Sequence, residues 1–320
     1  MKVLPDIRHG LELTEEQVSI QDMVRDFARS EVAPIAGEID EHHRFPKENW
    51  DKLVGLGLTG IPYAEEWGGS GLGTLDYILA IEELAKVCAS TALTLAAHVS
   101  LGTYPIYAWG NEALKRAYLS QLVRGEIMGA YGLTEPNAGS DSGGTRTTAI
   151  PQGDHWVLNG RKCFITNANY AGTFICTAVS HRGAGNKGIS AYVVPRETPG
   201  LHIEKGERKL GMRGSDWASL VFEDAHIPRN HLLGPEGEGF RTFMMTLDGG
   251  RISIGALALG IAEGAYECAL RYSQEREAFG KRLAEMQAVQ FKLADMAVQI
   301  EAARHLVYHA ARLKDLGRPY

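Results

Sequence analysis

Apolar side chains recur at helical spacing from Thr14 to about Met128. Thr14 and Gln17 make an S/T-x-x-E/Q capping box, and Val24, Phe27 and Ala28 then fall on one face of the helix it opens. Pro46 opens a second helix carrying Trp50, Leu53 and Val54, with proline suited to the first turn. A Gly-rich loop occupies 68–73. Two or three further helices are predicted between Leu75 and Leu122, punctuated by Gly102, Pro105 and Gly110.

The texture then changes to that of strands. Asn159-Gly160 predicts a type I′ hairpin between Trp156-Val157-Leu158 and Cys163-Phe164-Ile165-Thr166. Thr173 to Val179, Ile189 to Val194 and Leu220 to Glu223 are further runs of β-branched and aromatic residues, as in a small barrel or sandwich. From about Gly237 the helical period returns. Phe240 to Arg276 reads as one long helix with Phe243, Leu247, Ile254 and Leu257 on its apolar side. Glu285 to Leu316 reads as another, with Met296, Ile300 and Leu306 inward. Helices this long and one-sided need a bundle, of which these residues supply half. The expected architecture is therefore α+β: an N-terminal helical domain (1–128), a central β-barrel (129–236) and an incomplete C-terminal helical bundle (237–320).

Composition narrows the class. The 320 residues carry 33 Lys and Arg against 39 Asp and Glu, a net charge of −6, which argues against a nucleic-acid binder. Cys88, Cys163, Cys176 and Cys268 are scattered, a spacing that suits neither zinc nor a disulfide framework and fits a reducing compartment. The N-terminus has no apolar signal core, and apolar stretches such as Ile252 to Ala262 are short and interrupted by Gly. Neither secretion nor membrane insertion is expected. The default compartment is the cytoplasm, or an organelle matrix such as that of the mitochondrion. His305 and His309 stand at i, i+4, but no acidic partner has the spacing of a catalytic zinc helix, so no metal is expected.

The most informative segment is Tyr131-Gly-Leu-Thr-Glu-Pro-Asn-Ala-Gly-Ser-Asp141. By composition alone it is a connecting loop whose N–H groups and hydroxyls also suit a polyanionic or heteroaromatic ligand. As a whole string it resembles the acyl-CoA dehydrogenase signature. Phe164-Ile165-Thr166, Lys209-Leu-Gly-Met-Arg-Gly-Ser215 with Val221-Phe-Glu-Asp224, Leu247-Asp-Gly-Gly-Arg251, and Arg276-Glu-Ala-Phe-Gly-Lys281 follow in the family's order. The resemblance implies the three-domain fold above, with FAD between barrel and bundle, in a homotetramer built as a dimer of dimers. It places Tyr131, Leu133, Thr134, Gly139, Ser140, Phe164, Ile165 and Thr166 along the isoalloxazine, with Thr166 near N5. Phe164 stands where Trp is frequent. Arg276 and Phe279 match contacts to the FAD pyrophosphate and adenine, Gln287 another cofactor contact, and Ser140, Asp248 and Arg251 the acyl-CoA side.

The implied reaction is α,β-dehydrogenation of an acyl-CoA to the trans-2-enoyl-CoA, with electrons passed to an electron-transfer flavoprotein. A glutamate takes the α-proton. One branch of the family carries it at the position of Gly250, which has no side chain. The other carries it near the C-terminus, and the expectation is that it lies beyond Tyr320, in a C-terminal segment missing from this chain. Glu135 is read as part of the flavin loop and Glu263 as a helix-surface charge. Acyl-CoA oxidases share the signature, and a non-catalytic flavin- or CoA-binding relative is the alternative from another class.

Overall fold

The computed structural model describes residues 12–206 and 208–320. The first eleven residues of the expected N-terminal domain lie outside the described residues. In chain order the helices are α1 (Glu15–Phe27), α2 (Ala33–His42), α3 (Lys47–Gly55), α4 (Thr74–Val87), α5 (Ala89–Ala97), α6 (Tyr104–Trp109), α7 (Glu112–Leu114), α8 (Ser120–Val123), α9 (Gly239–Glu275) and α10 (Gln287–Asp315). The strands are β1 (Met128–Gly132), β2 (Thr148–Gln152), β3 (His155–Thr166), β4 (Ala171–Val179), β5 (Ile189–Pro195), β6 (Leu201–Lys205), β7 (Trp217–Pro228), β8 (Leu232–Leu233), β9 (Glu277–Ala278) and β10 (Lys281–Arg282). Helix, β-domain and helix follow in the expected order. Contacts gather the chain into two compact units that do not follow that order: residues to 36 with 73–92 and 252–320, and 37–72 with 93–251.

The first unit is helical. The predicted capping box is present, with Thr14 Oγ1 accepting from the Gln17 amide at 3.2 Å and Gln17 Oε1 from the Thr14 amide at 3.1 Å. Val24, Phe27 and Ala28 are buried as their spacing requires. At Gly260 and Gly264 of α9, an added Cβ would come within 2.3 Å of the Glu82 and Lys86 carbonyls, so these glycines let α9 lie backbone-close on α4. An ionic core joins the same helices. The Arg304 guanidinium lies 3.2 Å from Glu82 and 2.8 Å from Glu263, and the Tyr308 hydroxyl donates to Glu82 at 2.7 Å.

That polar core overturns two expectations. Glu263 is an ion-pair partner of Arg304, not a surface charge. On α10 the buried positions are Ile300, Arg304, Tyr308 and Ala311. Leu306, expected inward, is 72% exposed, because two residues turn it about 200° around the helix from Arg304. Ile254 of α9, also expected inward, is 45% exposed. Ile300, also expected inward, is buried, so the apolar pattern fails on α10 at Leu306, where a charged residue holds the inner face.

A further correction concerns α9. It runs 37 residues straight through its glycines, and is long and apolar enough by length and composition to cross a bilayer. The stated reason against membrane insertion therefore fails, although a core helix of a soluble protein meets the same test.

The second unit holds the β-domain. Its strands follow the order β6-β7-β3-β2-β4-β5-β8, with β1 paired in parallel to β4. Trp156, Leu158, Phe174, Tyr192, Leu220 and Phe222 alternate into one core. The Asn159-Gly160 hairpin does not form. β3 is continuous through it, and the turn joining β2 to β3 lies at Gly153-Asp154, between Gln152 and His155. Gly160 serves a close approach, since a Cβ there would stand 2.6 Å from the Thr147 Cα. The Asn159 side chain is taken up by Asp224, donating to its carboxylate and accepting from its amide at 2.9 Å each.

The helical segments of this unit are broken by π-helical turns, Lys115–Leu119 and His98–Thr103. The second packs on β1, where the Gly102 and Gly129 backbones meet so closely that a Cβ on Gly102 would lie 2.5 Å from the Gly129 carbonyl carbon. Beside them His98 is fully buried, its Nδ1 accepting from the Gly129 amide at 3.0 Å and its Nε2 donating to the Leu122 carbonyl at 2.9 Å. Burial pushes this imidazole down to about 4, so it is held as one neutral tautomer.

Candidate flavin and acyl-CoA site

β1 delivers the signature loop. Tyr131 stacks on Phe243, ring centroids 4.2 Å apart, and its hydroxyl donates to the Phe243 carbonyl at 2.9 Å. Beyond Gly132 the chain folds back on itself: Glu135 and Ala138 exchange backbone hydrogen bonds of 3.0 and 3.1 Å around Pro136-Asn137. Asn137 Nδ2 then reaches the Gly144 carbonyl at 3.0 Å. Thr134 is half-buried, while Gly139 and Ser140 are exposed at the outer bend.

A buried ion pair holds this loop to β3. Lys162 is 0% exposed, and its ammonium donates to Glu135 Oε1 at 2.8 Å, Thr177 Oγ1 at 3.0 Å and the Leu133 carbonyl at 3.1 Å. Those three acceptors use all three ammonium protons. The Glu135 carboxylate also accepts from the amides of Arg146 at 2.7 Å and Thr147 at 3.0 Å. Burial alone would raise this carboxyl, yet the Lys162 ammonium and the amide donors hold it below the usual carboxylate range. Sequence reading assigned Glu135 to the loop but did not find Lys162, which lies four residues before Thr166 and has no pattern of its own.

The next residues of β3 complete the arrangement. The Cys163 amide donates to the Thr134 carbonyl at 2.8 Å, drawing the loop against the strand. The β3–β7 register slips between Lys162 and Ile165, a bulge at Cys163-Phe164. Phe164 takes φ of +60°, unfavourable for an aromatic residue, and its ring is turned outward, 68% exposed. It leans on Trp217 at 5.2 Å. Ile165 points into the core, and Thr166 returns half-exposed on the same side of the strand as Phe164. An outward aromatic face flanked by the Thr134 and Thr166 segments fits a flat heteroaromatic group with hydrogen-bonding edges. Tyr131, Leu133, Thr134, Phe164, Ile165 and Thr166 are thus brought together.

Beside the outer bend lies a cavity of about 360 Å³ that sequence reading missed, lined by Arg146, His181, Arg182 and Thr145. Its cationic side chains come from separate loops, so spacing gave no signal. On α9 the side chains of Asp248 and Arg251 are exposed and ion-paired with each other. Gly250 is buried, and a Cβ there would meet Leu101 Cδ2 at 3.0 Å.

The remaining expected residues belong to the other unit. Between α9 and α10, β9 and β10 form a short antiparallel hairpin with Phe279-Gly280 at its tip, both at positive φ (+54° and +73°). Phe279 is 95% exposed, and Arg276 and Gln287 are exposed as well. The hairpin fills the gap left between the two predicted long helices, where no element was predicted. Of the carboxylates near the motifs, Glu135, Asp248 and Glu263 each already have a cationic partner.

Comparison with known proteins agrees with this arrangement. The family descriptions "Acyl-CoA dehydrogenase, N-terminal domain", "middle domain" and "C-terminal domain" match residues 14–126, 130–225 and 237–320. The chain is 52% identical over 308 residues to the short-chain specific acyl-CoA dehydrogenase of Clostridium acetobutylicum, covering 96% of this chain and 81% of that protein. It matches a chain in the structure of the electron transferring flavoprotein of Acidaminococcus fermentans with a TM-score of 0.95 and 49% identity, over 98% of this chain and 82% of that one. Butyryl-CoA dehydrogenase from Megasphaera elsdenii gives a TM-score of 0.95 and 46% identity over the same shares. The chain spans about four fifths of the length of these relatives. Because the C-terminal family match runs through residue 320, the expectation of a missing C-terminal segment is not borne out. Matched along almost all of its described length, the chain belongs to the acyl-CoA dehydrogenase family.

Proposed function

We propose that the protein is an FAD-dependent dehydrogenase of short acyl-CoA thioesters that passes electrons to an electron-transfer flavoprotein. The observation that carries this reading is the bulge at Cys163-Phe164, which spends backbone strain to turn an aromatic face outward beside Thr134 and Thr166. When bound, the flavin supplies the acceptor for the hydride leaving the β-carbon. The chain's own part is to bind and orient. Phe164 offers a stacking face, and the Thr134 and Thr166 hydroxyls offer hydrogen bonds to the ring edge. Gly139 and Ser140 give the outer bend room and a hydroxyl for the acyl-CoA side, joined by Asp248 and Arg251. The cationic cavity at Arg146 and Arg182 suits the phosphate-bearing end of the same substrate. Arg276, Phe279 and Gln287 match further cofactor contacts of the family, with an arginine fork suited to pyrophosphate oxygens. The short-chain preference rests on the names of the relatives above. The same reading places the protein in the cytoplasm as a tetramer built from dimers.

The test is an anaerobic titration of the FAD-loaded protein with butyryl-CoA, followed by visible absorbance. Rapid bleaching of the oxidised flavin band is the expected result and would mean that a working α-proton base lies within this chain, and rapid reoxidation by air alone would instead mark an oxidase. A yellow protein that binds butyryl-CoA without bleaching would overturn the dehydrogenase reading in favour of a non-catalytic flavin and CoA binder.

A further inference from the structure

The binding and orienting roles proposed above leave one buried charge unused. Lys162 is fully buried in the β-domain, where desolvation lowers its ammonium from the ordinary value and Glu135 opposes the shift. Only the protonated form satisfies all three of its acceptors, Glu135, Thr177 and the Leu133 carbonyl. The neighbouring Cys176 thiol is pushed up to about 12 by burial, so it stays neutral and adds no second negative charge. Glu135 supplies the counter-charge, and shares it with the amides of Arg146 and Thr147.

Two successive residues of β3 hold two successive carbonyls of the signature loop. Lys162 Nζ donates to the Leu133 carbonyl at 3.1 Å, and the Cys163 amide donates to the Thr134 carbonyl at 2.8 Å. Across a planar trans peptide, the Leu133 carbonyl and the Thr134 amide point in opposite directions. With that carbonyl turned to Lys162, the Thr134 N–H faces away from the ammonium. It donates to no acceptor among the described residues. A positive charge at the carbonyl end of a peptide polarises the whole unit and makes its N–H a stronger donor.

We propose that Lys162 is a positioning residue that raises the reduction potential of the bound flavin through the Leu133–Thr134 peptide. An isoalloxazine carries its hydrogen-bonding atoms along the pyrimidine ring and N5, whereas its far end is a dimethylbenzene with none. A donor serving the ring edge therefore meets the half of the flavin that becomes negative when two electrons and one proton enter it. The Thr134 amide, polarised from behind by the ammonium, stabilises that charge more in the reduced flavin than in the oxidised one. This role rests on the flavin placement proposed above. It differs from anchorage of the loop, because it depends on the sign of the buried charge and not on the hydrogen bonds alone.

Anaerobic equilibrium reduction of the FAD-loaded protein against a dye of known potential, without substrate, decides it. Lys162→Met should lower the ratio of reduced to oxidised flavin about tenfold, a downward shift of about 30 mV for a two-electron couple. Glu135→Gln, compared with wild type at pH 6 to favour its protonated lysine, should shift the potential upward instead. Both variants break the same ion pair and loosen the same loop, so a merely structural role moves the potential the same way in both, or in neither. Lys162→Met combined with Glu135→Gln regains stability, and its potential should still lie below wild type. Shifts of the same sign, no measurable shift in either single variant, or a double variant at the wild-type potential overturn the proposal. So does loss of FAD from both variants lacking Lys162, which would leave the pair an anchor alone. FAD bound with shifts of the same sign leaves the proposed function standing, whereas a wild-type chain that takes up no FAD overturns both.

Discussion

Lys162→Met isolates what holds the flavin-facing loop in place. Methionine approximates the volume of the lysine stem, so the change removes a charge more than it removes packing. It leaves Glu135 buried and unpaired, and it strips one donor from the Leu133 carbonyl. Breaking a buried pair from one side costs about 3–5 kcal/mol. At about 2 °C per kcal/mol for a chain of this size, that is a Tm fall of roughly 6–10 °C. Adding Glu135→Gln should recover about half of it. The amide oxygen can still accept from the Thr147 or Arg146 amide, and the stranded charge is gone. The two single variants and the double, measured by urea unfolding, give the coupling directly. The pH dependence supplies a second check. In the wild type the Glu135 carboxyl is lowered, so its stabilisation is present above the ordinary carboxylate value and lost as pH falls through the lower folded value. In Lys162→Met the carboxyl rises instead, so acid neutralises the stranded charge and the gap to wild type narrows. A loss below about 1 kcal/mol, or no recovery in the double variant, refutes the claim that this pair anchors the loop.

His98 gives a sharper pH signature. Its folded-state value of about 4 lies below its ordinary 6.5, so unfolding takes up a proton between those limits. Stability should fall by roughly 3 kcal/mol as pH drops through that window, and His98→Gln should flatten this part of the urea-derived profile. Gly160→Ala places a Cβ 2.6 Å from the Thr147 Cα at a φ of +145°. A destabilisation of about 2–4 kcal/mol is expected in thermal melts, and an unchanged Tm would mean β3 passes Thr147 differently. Tyr308→Phe removes the 2.7 Å bond to buried Glu82 and should cost roughly 1.5–3 kcal/mol, seen as a lower urea midpoint with unchanged m-value.

What local sequence determined is visible at particular residues. The Thr14-Gln17 box, the inward Val24 and Phe27, the long runs of α9 and α10, and β4 and β5 all depend on neighbours within one or two turns or on strand alternation, and each formed as its pattern required. The signature loop and Phe164 to Thr166 were legible because their residue types carry chemistry in a fixed order. Tertiary structure decided what the pattern could not. Asn159-Gly160 has hairpin chemistry, but Thr147 and β7 lie against it, and the chain turns at Gly153-Asp154 instead. Leu306 has the more apolar side chain, but Arg304 is held inward by Glu82 and Glu263, residues 222 and 41 positions away. Lys162 finds Glu135 across 27 residues. These outcomes are set by long-range partners that desolvated charges and close backbone contacts demand, and no window of local sequence contains both sides of such a pair.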